Sequence, residues 1–328
     1  MTMTPLTSDE TAILLLCATL GRGSQCPRPL TGIGYDRLAN WLRSRGARPG
    51  SLLGESPELL ESLEQSDLAD IAPVTKQLMS GRLAAALKVE AWSRVGGWIV
   101  TRGSADYPRQ LVRLGPKRPP VLFGLGARGL LAKQSIAVVG SRDAPEADLA
   151  FSRGIGAAAA RSGYAIVSGA ARGIDSATMC GALEADGTAI GIVSDRLAEI
   201  PASAAWRKPL MDGNLCMVSA VDPESRFTTG NAMGRNKIIY GLADHAIVVR
   251  SSNGTGGTWA GATEAIRAGW CPVHTRPHAE GDARTAAEQL AKHGATMLSE
   301  SSTASCLDAV LRHQGPIAGS ALDRTLWE

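Results

Sequence analysis

Aromatic residues are scarce in this chain of 328 residues, at 4% of the sequence, and the formal net charge is only +3. With so small a basic excess, only a local basic patch would hold a nucleic acid. The six cysteines form no C-x-x-C pair and have no histidine at the spacing of a zinc site. We therefore expect reduced cysteines and no metal site.

Long apolar runs are also missing. The apolar stretch at residues 12–20 is too short to cross a bilayer, and it follows Asp9 and Glu10 rather than a basic segment. These features argue against a signal peptide and a membrane span, so we expect a cytoplasmic protein without membrane contact. The length favours one large domain with a smaller one, and no internal repeat or low-complexity tract is present.

Residues 1–97 are predicted to form a small all-α domain, because apolar residues recur there at three- and four-residue spacing. The predicted helices cover residues 10–20, 35–45, 57–64 and 74–95. Residues 98–131 are predicted to be a linker that contains two short strands, at 98–100 and 121–123. Between these strands, Pro116, Pro119 and Pro120 indicate an irregular connection.

From Ser135 onward, short β-branched runs alternate with alanine-rich amphipathic segments, which is typical of parallel βαβ units. Strands are predicted at residues 135–139, 165–167, 189–193, 215–218, 246–249 and 272–274, and helices at 146–161, 176–185, 230–242 and 257–268. The alternation predicts an α/β fold with a doubly wound, mostly parallel sheet over residues 132–300. Residues 301–328 are predicted to be a short, polar and weakly ordered tail.

Three glycine-rich loops follow predicted strands. They are Gly140-Ser141-Arg142, the segment 168–175 with Ser168, Gly169, Arg172 and Gly173, and the segment 251–258 with Gly256, Gly257 and Thr258. A single glycine-rich loop can simply allow a helix to pack closely on a sheet. Three such loops after strands favour a binding site, because ligands of doubly wound sheets bind at the carboxyl ends of the strands. Because glycine admits a ligand to the backbone and free N–H groups at a helix start attract oxyanions, the three loops together predict a phosphate site.

A fourth segment supplies positive charge. Arg235-Asn236-Lys237 follows Gly234 at the start of a predicted helix. Cations oppose the dipole of a helix at its N-terminus, so their presence there indicates another purpose than helix stability. An arginine can donate two hydrogen bonds to one phosphate, and a lysine adds a point charge.

Catalytic signatures are lacking. No nucleophile stands beside an evident base, and we interpret His245 and His274 as core or rim residues of predicted strands. Neither G-x-G-x-x-G nor G-x-x-x-x-G-K-[ST] follows the first strand of the predicted sheet, which argues against a dinucleotide dehydrogenase and a P-loop NTPase. We expect a binding protein that uses no cofactor.

Three motifs, in this order, resemble the DprA/Smf family of DNA-processing proteins. They are AVVGSR at residues 137–142, VSGAARGID at 167–175 and GRNKIIYGL at 234–242. Upstream, the segments DYP at 106–108 and PPVLFG at 119–124 resemble the approach to that family's Rossmann-like domain. The resemblance covers about residues 104–275.

The resemblance implies an extended Rossmann-like domain that forms a homodimer, binds single-stranded DNA and helps to load a recombinase during transformation, recombination or genome defence. The residues expected to bind phosphate are Gly140, Ser141, Arg142, Ser168, Gly169, Arg172, Gly173, Arg235, Asn236, Lys237, Gly256, Gly257 and Thr258. A sequence-tolerant binder also needs surfaces for base stacking, for which Phe227 and Trp259 are the candidates.

The sequence departs from the family pattern in three places. Met179 stands where the family usually has a histidine, and the family's Ser-Gly-Ser-x-x-Thr-Ala loop is here the longer segment 253–260. Only 28 residues follow Glu300, so we expect no C-terminal winged helix. These departures indicate a divergent branch.

An alternative is a nucleotide sensor or nucleotide hydrolase of the related lysine-decarboxylase-like (LOG) superfamily. Gly256-Gly257-Thr258 followed by Glu264 resembles the glycine-rich loop and catalytic glutamate of that group. Hydrolysis of the N-glycosidic bond would then depend on Glu264.

Overall fold

Nine strands form one sheet in a computed structural model that describes residues 5–20, 27–54, 57–299 and 303–312. The strands are β1 (Gly97–Thr101), β2 (Val121–Gly126), β3 (Ser135–Gly140), β4 (Ala165–Ser168), β5 (Ala189–Ile192), β6 (Leu215–Ser219), β7 (His245–Arg250), β8 (Val273–Thr275) and β9 (Thr296–Met297). Their order in the sheet is β1-β2-β6-β5-β4-β3-β7-β8-β9. Strand β2 is antiparallel to both of its neighbours, and all other pairs are parallel.

Helices cover both faces of the sheet. They are α6 (Glu146–Arg161), α7 (Ile174–Glu184), α8 (Ala204–Met211), α9 (Thr229–Leu242), α10 (Gly256–Ala268), α11 (Gly281–Lys292) and α12 (Thr303–Arg312). Because side chains alternate along a strand, Ile136 and Val138 of β3 pack in the cluster that contains α6 and α7. Ala137 and Val139 point the other way, into the cluster that contains α9 and α10. The fold is therefore the doubly wound α/β sheet that the alternation predicted.

The crevice of this sheet lies between β3 and β7. These neighbours are parallel, but the helix that follows β3 covers one face and the helix that follows β7 covers the other. The loops after the two strands consequently diverge, and an open space remains at their carboxyl ends. That is the edge at which the three glycine-rich loops were expected to meet.

Five helices precede the sheet, namely α1 (Ser8–Cys17), α2 (Gly32–Ser44), α3 (Pro57–Glu64), α4 (Ala72–Met79) and α5 (Arg82–Arg94). A capping box starts α1, where Thr7 and Glu10 satisfy each other's backbone N–H groups. The single helix predicted at 74–95 is wrong, since Ser80 and Gly81 separate α4 from α5. Leu14 and Leu42 join the same core as α6 and α7.

The sheet begins at Gly97, whereas the sequence indicated a start at residue 132. The predicted linker at 98–131 thus contributes two strands, and its irregular part is a 3-10 segment, Arg109–Lys117, that buries Leu111 and Leu114. Strand β9 and the helices α8 and α11 were not predicted. The prediction of a weakly ordered tail is wrong for residues 303–312, because α12 buries Leu307 and Val310. The rest of the predicted tail, residues 313–328, lies outside the described ranges.

We expect Gly156→Ala to lower the free energy of unfolding by about 2 kcal/mol, as overpacking a well-filled site does. Helices α6 and α7 cross so closely that a methyl group at Gly156 would overlap the carbonyl oxygen of Thr178. Urea denaturation measures the effect. Gly234→Ala is the control, because a methyl group there would meet no described atom within 4 Å outside the backbone of its own helix. An unchanged urea midpoint for Gly156→Ala would contradict the close crossing.

Candidate functional site

A cavity of about 420 Å³ occupies the crevice at the carboxyl ends of β3 and β7. Nine of the residues predicted from sequence line it, namely Gly140, Ser141, Arg142, Phe227, Arg235, Asn236, Gly256, Gly257 and Thr258. The first and third glycine-rich loops form two of its walls, and α9 forms another. The chain therefore brings together residues that are separated by more than a hundred positions.

The first loop is held from both sides. The backbone N–H of Ser141 donates to the carbonyl oxygen of Arg250 at 3.0 Å, and the Thr258 hydroxyl donates to that of Gly140 at 3.3 Å. Gly140 is required here, because a Cβ at this position would come within 2.6 Å of Cγ1 of Ile174. These contacts fix Arg142 at the rim of the cavity, where its side chain is exposed.

The second loop mostly supports the cavity, and of its residues only Ala171 and Asp175 line it. Ser168 is buried, and its hydroxyl donates to the carbonyl oxygen of Val138 at 2.6 Å. Gly173 has φ +87° and packs against the backbone of Ser141 and Arg142, so only glycine fits without strain. Ser168, Gly169 and Gly173 are not among the lining residues, whereas Asp175 in the first turn of α7 is.

Arg235 and Asp175 form a buried ion pair in the cavity. Their side chains are only 11% and 8% exposed, and Nη1 of Arg235 lies 3.5 Å from Oδ2 of Asp175. The guanidinium covers Gly169, where a side chain would occupy its place. Among the described residues, Nε of Arg235 has no hydrogen-bond partner and Nη1 has only the long contact to Asp175, so this nearly buried cation is under-satisfied.

Burial shifts both members of this pair toward neutrality. It raises the pKa of Asp175, while the charge of Arg235 and backbone N–H donors act against the shift. Burial also lowers the pKa of Arg235; Asp175 opposes this shift, and the nearby Arg142 adds to it. An oxyanion bound beside the guanidinium of Arg235 in the cavity would stabilise its charged form.

The third loop presents donors from the start of α10. This helix begins at Gly256, and no side chain caps it, so its first N–H groups are free for an anion. Ser251 lines the cavity and is buried, yet its hydroxyl finds no hydrogen-bond partner in the part of the chain that the structure describes. This end of the cavity therefore combines backbone amides with an unused hydroxyl group.

Two predicted cations lie outside the cavity. Arg172 is 77% exposed and pairs with Asp143, which does line the cavity, so Arg172 belongs to its rim. Lys237 donates to Oε1 of Glu264 at 2.6 Å and does not line the cavity, although Arg235 and Lys237 were expected to share one pocket. Helical geometry explains the difference, because residues two positions apart face different directions.

Glu264 is likewise outside the cavity. It binds Lys117 at 3.0 Å as well as Lys237. Burial raises the pKa of Glu264, but the hydrogen bonds from Lys237 and Lys117 outweigh it, and the pKa is below the ordinary value. An ionised, doubly paired carboxylate is unsuited to serve as the acid or base of a hydrolase.

The two candidate stacking residues differ in position. Phe227 is 52% exposed and lines the cavity. Trp259 does not line it; its ring meets that of His293 edge-on at 5.9 Å between centroids. Among the described residues, Phe227 is the aromatic side chain available at the mouth.

Sequence reasoning found Arg235 and Asn236 on α9 but missed the rest of the wall that this helix provides. Thr229, Ala232, Met233 and Ile239 also line the cavity, and together with Asn236 they recur at three- and four-residue spacing. This spacing is the signal that would have indicated one face of a helix turned to a ligand. Asp143 was also missed.

The charges around the cavity nearly balance. Its lining carries Arg142, Arg235, Asp143 and Asp175, and the exposed Arg172 neutralises Asp143 from the rim. With Asp175 paired to Arg235, Arg142 is left as the positive charge that no carboxylate of the lining neutralises. A negative group would complete the site.

Comparison with known proteins points to one family. The family model described as DNA recombination-mediator protein A matches residues 98–308. Protein Smf of Synechocystis sp. is 30% identical over 158 residues, which are 46% of this chain and 39% of that protein. DNA processing protein DprA of Bacillus subtilis is 30% identical over 140 residues, which are 42% of this chain and 47% of that protein. The chain thus matches less than half the length of either relative.

Two solved structures share the fold. DNA processing protein A from Streptococcus pneumoniae superposes with a TM-score of 0.68 and 21% identity, over 93% of this chain and 98% of that one. DNA processing protein A from Helicobacter pylori, whose structure concerns its single-stranded DNA binding mode, superposes with a TM-score of 0.56 and 19% identity. The superposition covers 66% of this chain and 95% of that one. No helix in the described ranges is long and apolar enough to span a bilayer.

Proposed function

The chain belongs to the family of DNA recombination-mediator protein A, and from that membership we propose that it binds single-stranded DNA through backbone phosphates in the cavity between β3 and β7. The observation that carries the proposal is Arg235. Its guanidinium is nearly buried and lines the cavity, and within the described part of the chain it is held by little more than the 3.5 Å ion pair with Asp175. A phosphate is the ligand that such a group accommodates best, since it accepts several hydrogen bonds and carries the opposite charge.

The remaining groups suit a polymer of nucleotides. Arg142 at the rim and the free N–H groups at the start of α10 offer further phosphate contacts. The exposed ring of Phe227 offers a surface on which any base stacks. Phosphate contacts and stacking do not discriminate between bases, so the binding is sequence-tolerant.

We propose that the chain acts without catalysis, as a homodimer that helps to load a recombinase on DNA. The family description as a recombination mediator supports this role. Hydrolysis by Glu264 is not favoured, because that residue lies outside the cavity and is paired with two lysines.

We expect Arg142→Ala to weaken the binding of labelled oligothymidylate about tenfold, since one charge-assisted hydrogen bond contributes ~1.5 to 3 kcal/mol. Titrations at several salt concentrations check the mechanism. The slope of log affinity against log salt should flatten by about 0.7 for each phosphate that the variant no longer neutralises.

The control for this experiment is Arg94→Ala. Arg94 is 75% exposed on α5, among the N-terminal helices, so its removal should leave both affinity and salt slope unchanged. Equal affinities of Arg142→Ala and the wild type would refute the phosphate contact. If the wild type bound a mononucleotide but no oligonucleotide, the DNA-binding proposal itself would fail.

A further inference from the structure

A second basic hollow, of about 670 Å³, lies outside the cavity already described. Its polar lining consists of Asp106, Arg109, Gln110, Arg113 and Arg128, together with the backbone at Gly129. None of these residues lines the cavity between β3 and β7. The hollow is therefore a separate site on the molecule.

The hollow lies at the opposite edge of the sheet from the cavity. Nη1 of Arg113 donates to the carbonyl oxygens of Ala243 and Trp270, at 2.8 and 3.1 Å. Ala243 comes shortly before β7 and Trp270 shortly before β8, so both mark the amino ends of these strands. The cavity is at the carboxyl ends, and six-residue strands at about 3.3 Å per residue separate the two edges by roughly 20 Å.

Positive charge prevails in the hollow. Three arginines face one carboxylate, and Nε of Arg128 binds that carboxylate, Asp106, at 2.8 Å. Arg109 and Arg113 are then left without a carboxylate in the lining. A hollow beside α7 and α8 has the opposite balance of charge, because three carboxylates in its lining outnumber one lysine. These residues are Glu184, Asp186, Asp212 and Lys208.

Arg113 is also fixed in place. The two carbonyl oxygens that accept from its Nη1 are neutral, so they orient the guanidinium without cancelling its charge. The carboxylate of Asp244, which lies outside the lining and accepts from the backbone N–H of Ser135 at 2.9 Å, offsets part of the charge of Arg113. A guanidinium held in advance loses little conformational freedom when a phosphate binds.

We propose that this hollow is a second phosphate-binding site, which holds a further stretch of the same single-stranded DNA whose other part lies in the cavity. The inference rests on the proposed function. Arginines that offer forked N–H groups match phosphodiester oxygens, and Gln110 adds an amide donor. A strand longer than the roughly 4 to 16 nucleotides that one site covers can reach from one edge of the sheet to the other.

The test compares oligothymidylates of two lengths on the double variant Arg109→Ala/Arg128→Ala. Both side chains are exposed, so the fold should persist, which the urea midpoint verifies. The short oligonucleotide fits one site of roughly 4 to 16 nucleotides, and the long one is several times that length. We expect the wild type to bind the long strand more tightly, and the variant to lose about tenfold in affinity for the long strand alone.

The matched control is Arg37→Ala/Arg94→Ala, which removes two exposed arginines from the N-terminal helices. It should bind both lengths as the wild type does. Unchanged binding of the long strand by Arg109→Ala/Arg128→Ala would overturn the second site, and so would an equal loss for both lengths. An acidic protein segment as the true occupant of the hollow would produce the first of these results. Failure of the wild type to bind even the short strand would instead refute the proposed function.

Discussion

Replacing Gly169 with alanine is expected to lower the affinity for single-stranded DNA about 100-fold, although Gly169 itself does not line the cavity. A methyl group at this position would overlap the guanidinium of Arg235 and crowd Oδ2 of Asp175. The arginine must then leave the place from which it would meet a phosphate. Its departure also exposes the Asp175 carboxylate, which repels phosphate. Removing a charged hydrogen bond and adding a repulsion amounts to about 3 kcal/mol.

Fluorescence anisotropy with labelled oligothymidylate measures this decrease, and urea denaturation shows whether the variant remains folded. Gly230→Ala is the matched control, because Gly230 lies at the start of α9 and the nearest atom to an added methyl group, the Thr228 hydroxyl oxygen, is an ordinary 3.9 Å away. The control should bind DNA as the wild type does. Wild-type affinity of folded Gly169→Ala would show that the position of Arg235 does not matter for binding.

The sheet could be predicted largely from sequence, because its central strands are short β-branched runs between alanine-rich helices. Each predicted strand from Ser135 onward is present in the structure, within one or two residues at its ends. The first and third loops meet at the cavity because both follow strands that turned out to be neighbours, β3 and β7. The glycines and hydroxyls at strand ends were the informative signal.

The orientation of single side chains could not be predicted in this way. Arg235 and Lys237 are two residues apart and chemically alike, but one faces the cavity and the other faces Glu264. Which of them faces the ligand depends on how α9 is rotated against the sheet. Lys117, far away in sequence, also binds Glu264, and no local pattern indicates such a partner.

The antiparallel strands β1 and β2 were predicted as short strands but not as part of the main sheet. Strand β1 pairs with β2, and β2 joins the main sheet through β6. This long-range pairing of β2 with β6 is made by backbone hydrogen bonds that leave no periodic signal in the sequence. The same region holds a charge cluster that sequence reasoning did not find. It consists of Asp36 on α2 with Arg102 and Arg118, which flank β1 and β2.

This cluster buries two cations beside one carboxylate. The side chains of Arg102 and Arg118 are 2% and 8% exposed, and Asp36 lies 3.0 Å from Nη1 of Arg102 and 3.9 Å from Nη2 of Arg118. Arg102 also donates to the carbonyl oxygen of Pro116 at 3.3 Å, while Nε of each arginine has no hydrogen-bond partner among the described residues. Asp36 is therefore the group that keeps two buried like charges together, at the contact between α2 and the sheet.

Asp36→Ala is accordingly expected to lower the free energy of unfolding by about 3 to 5 kcal/mol, the usual cost of breaking a buried ion pair from one side. The cost arises because the variant leaves both guanidinium groups buried and mutually repelling. Asp70→Ala serves as control, since Asp70 pairs with Arg37 on the surface, where solvent screens the pair, and its removal should leave the free energy of unfolding nearly unchanged. Urea denaturation compares the two. Adding Arg118→Met to Asp36→Ala removes one of the repelling charges and should recover part of the lost free energy of unfolding. Equal losses for Asp36→Ala and Asp70→Ala would instead show that water reaches the cluster and screens its charges.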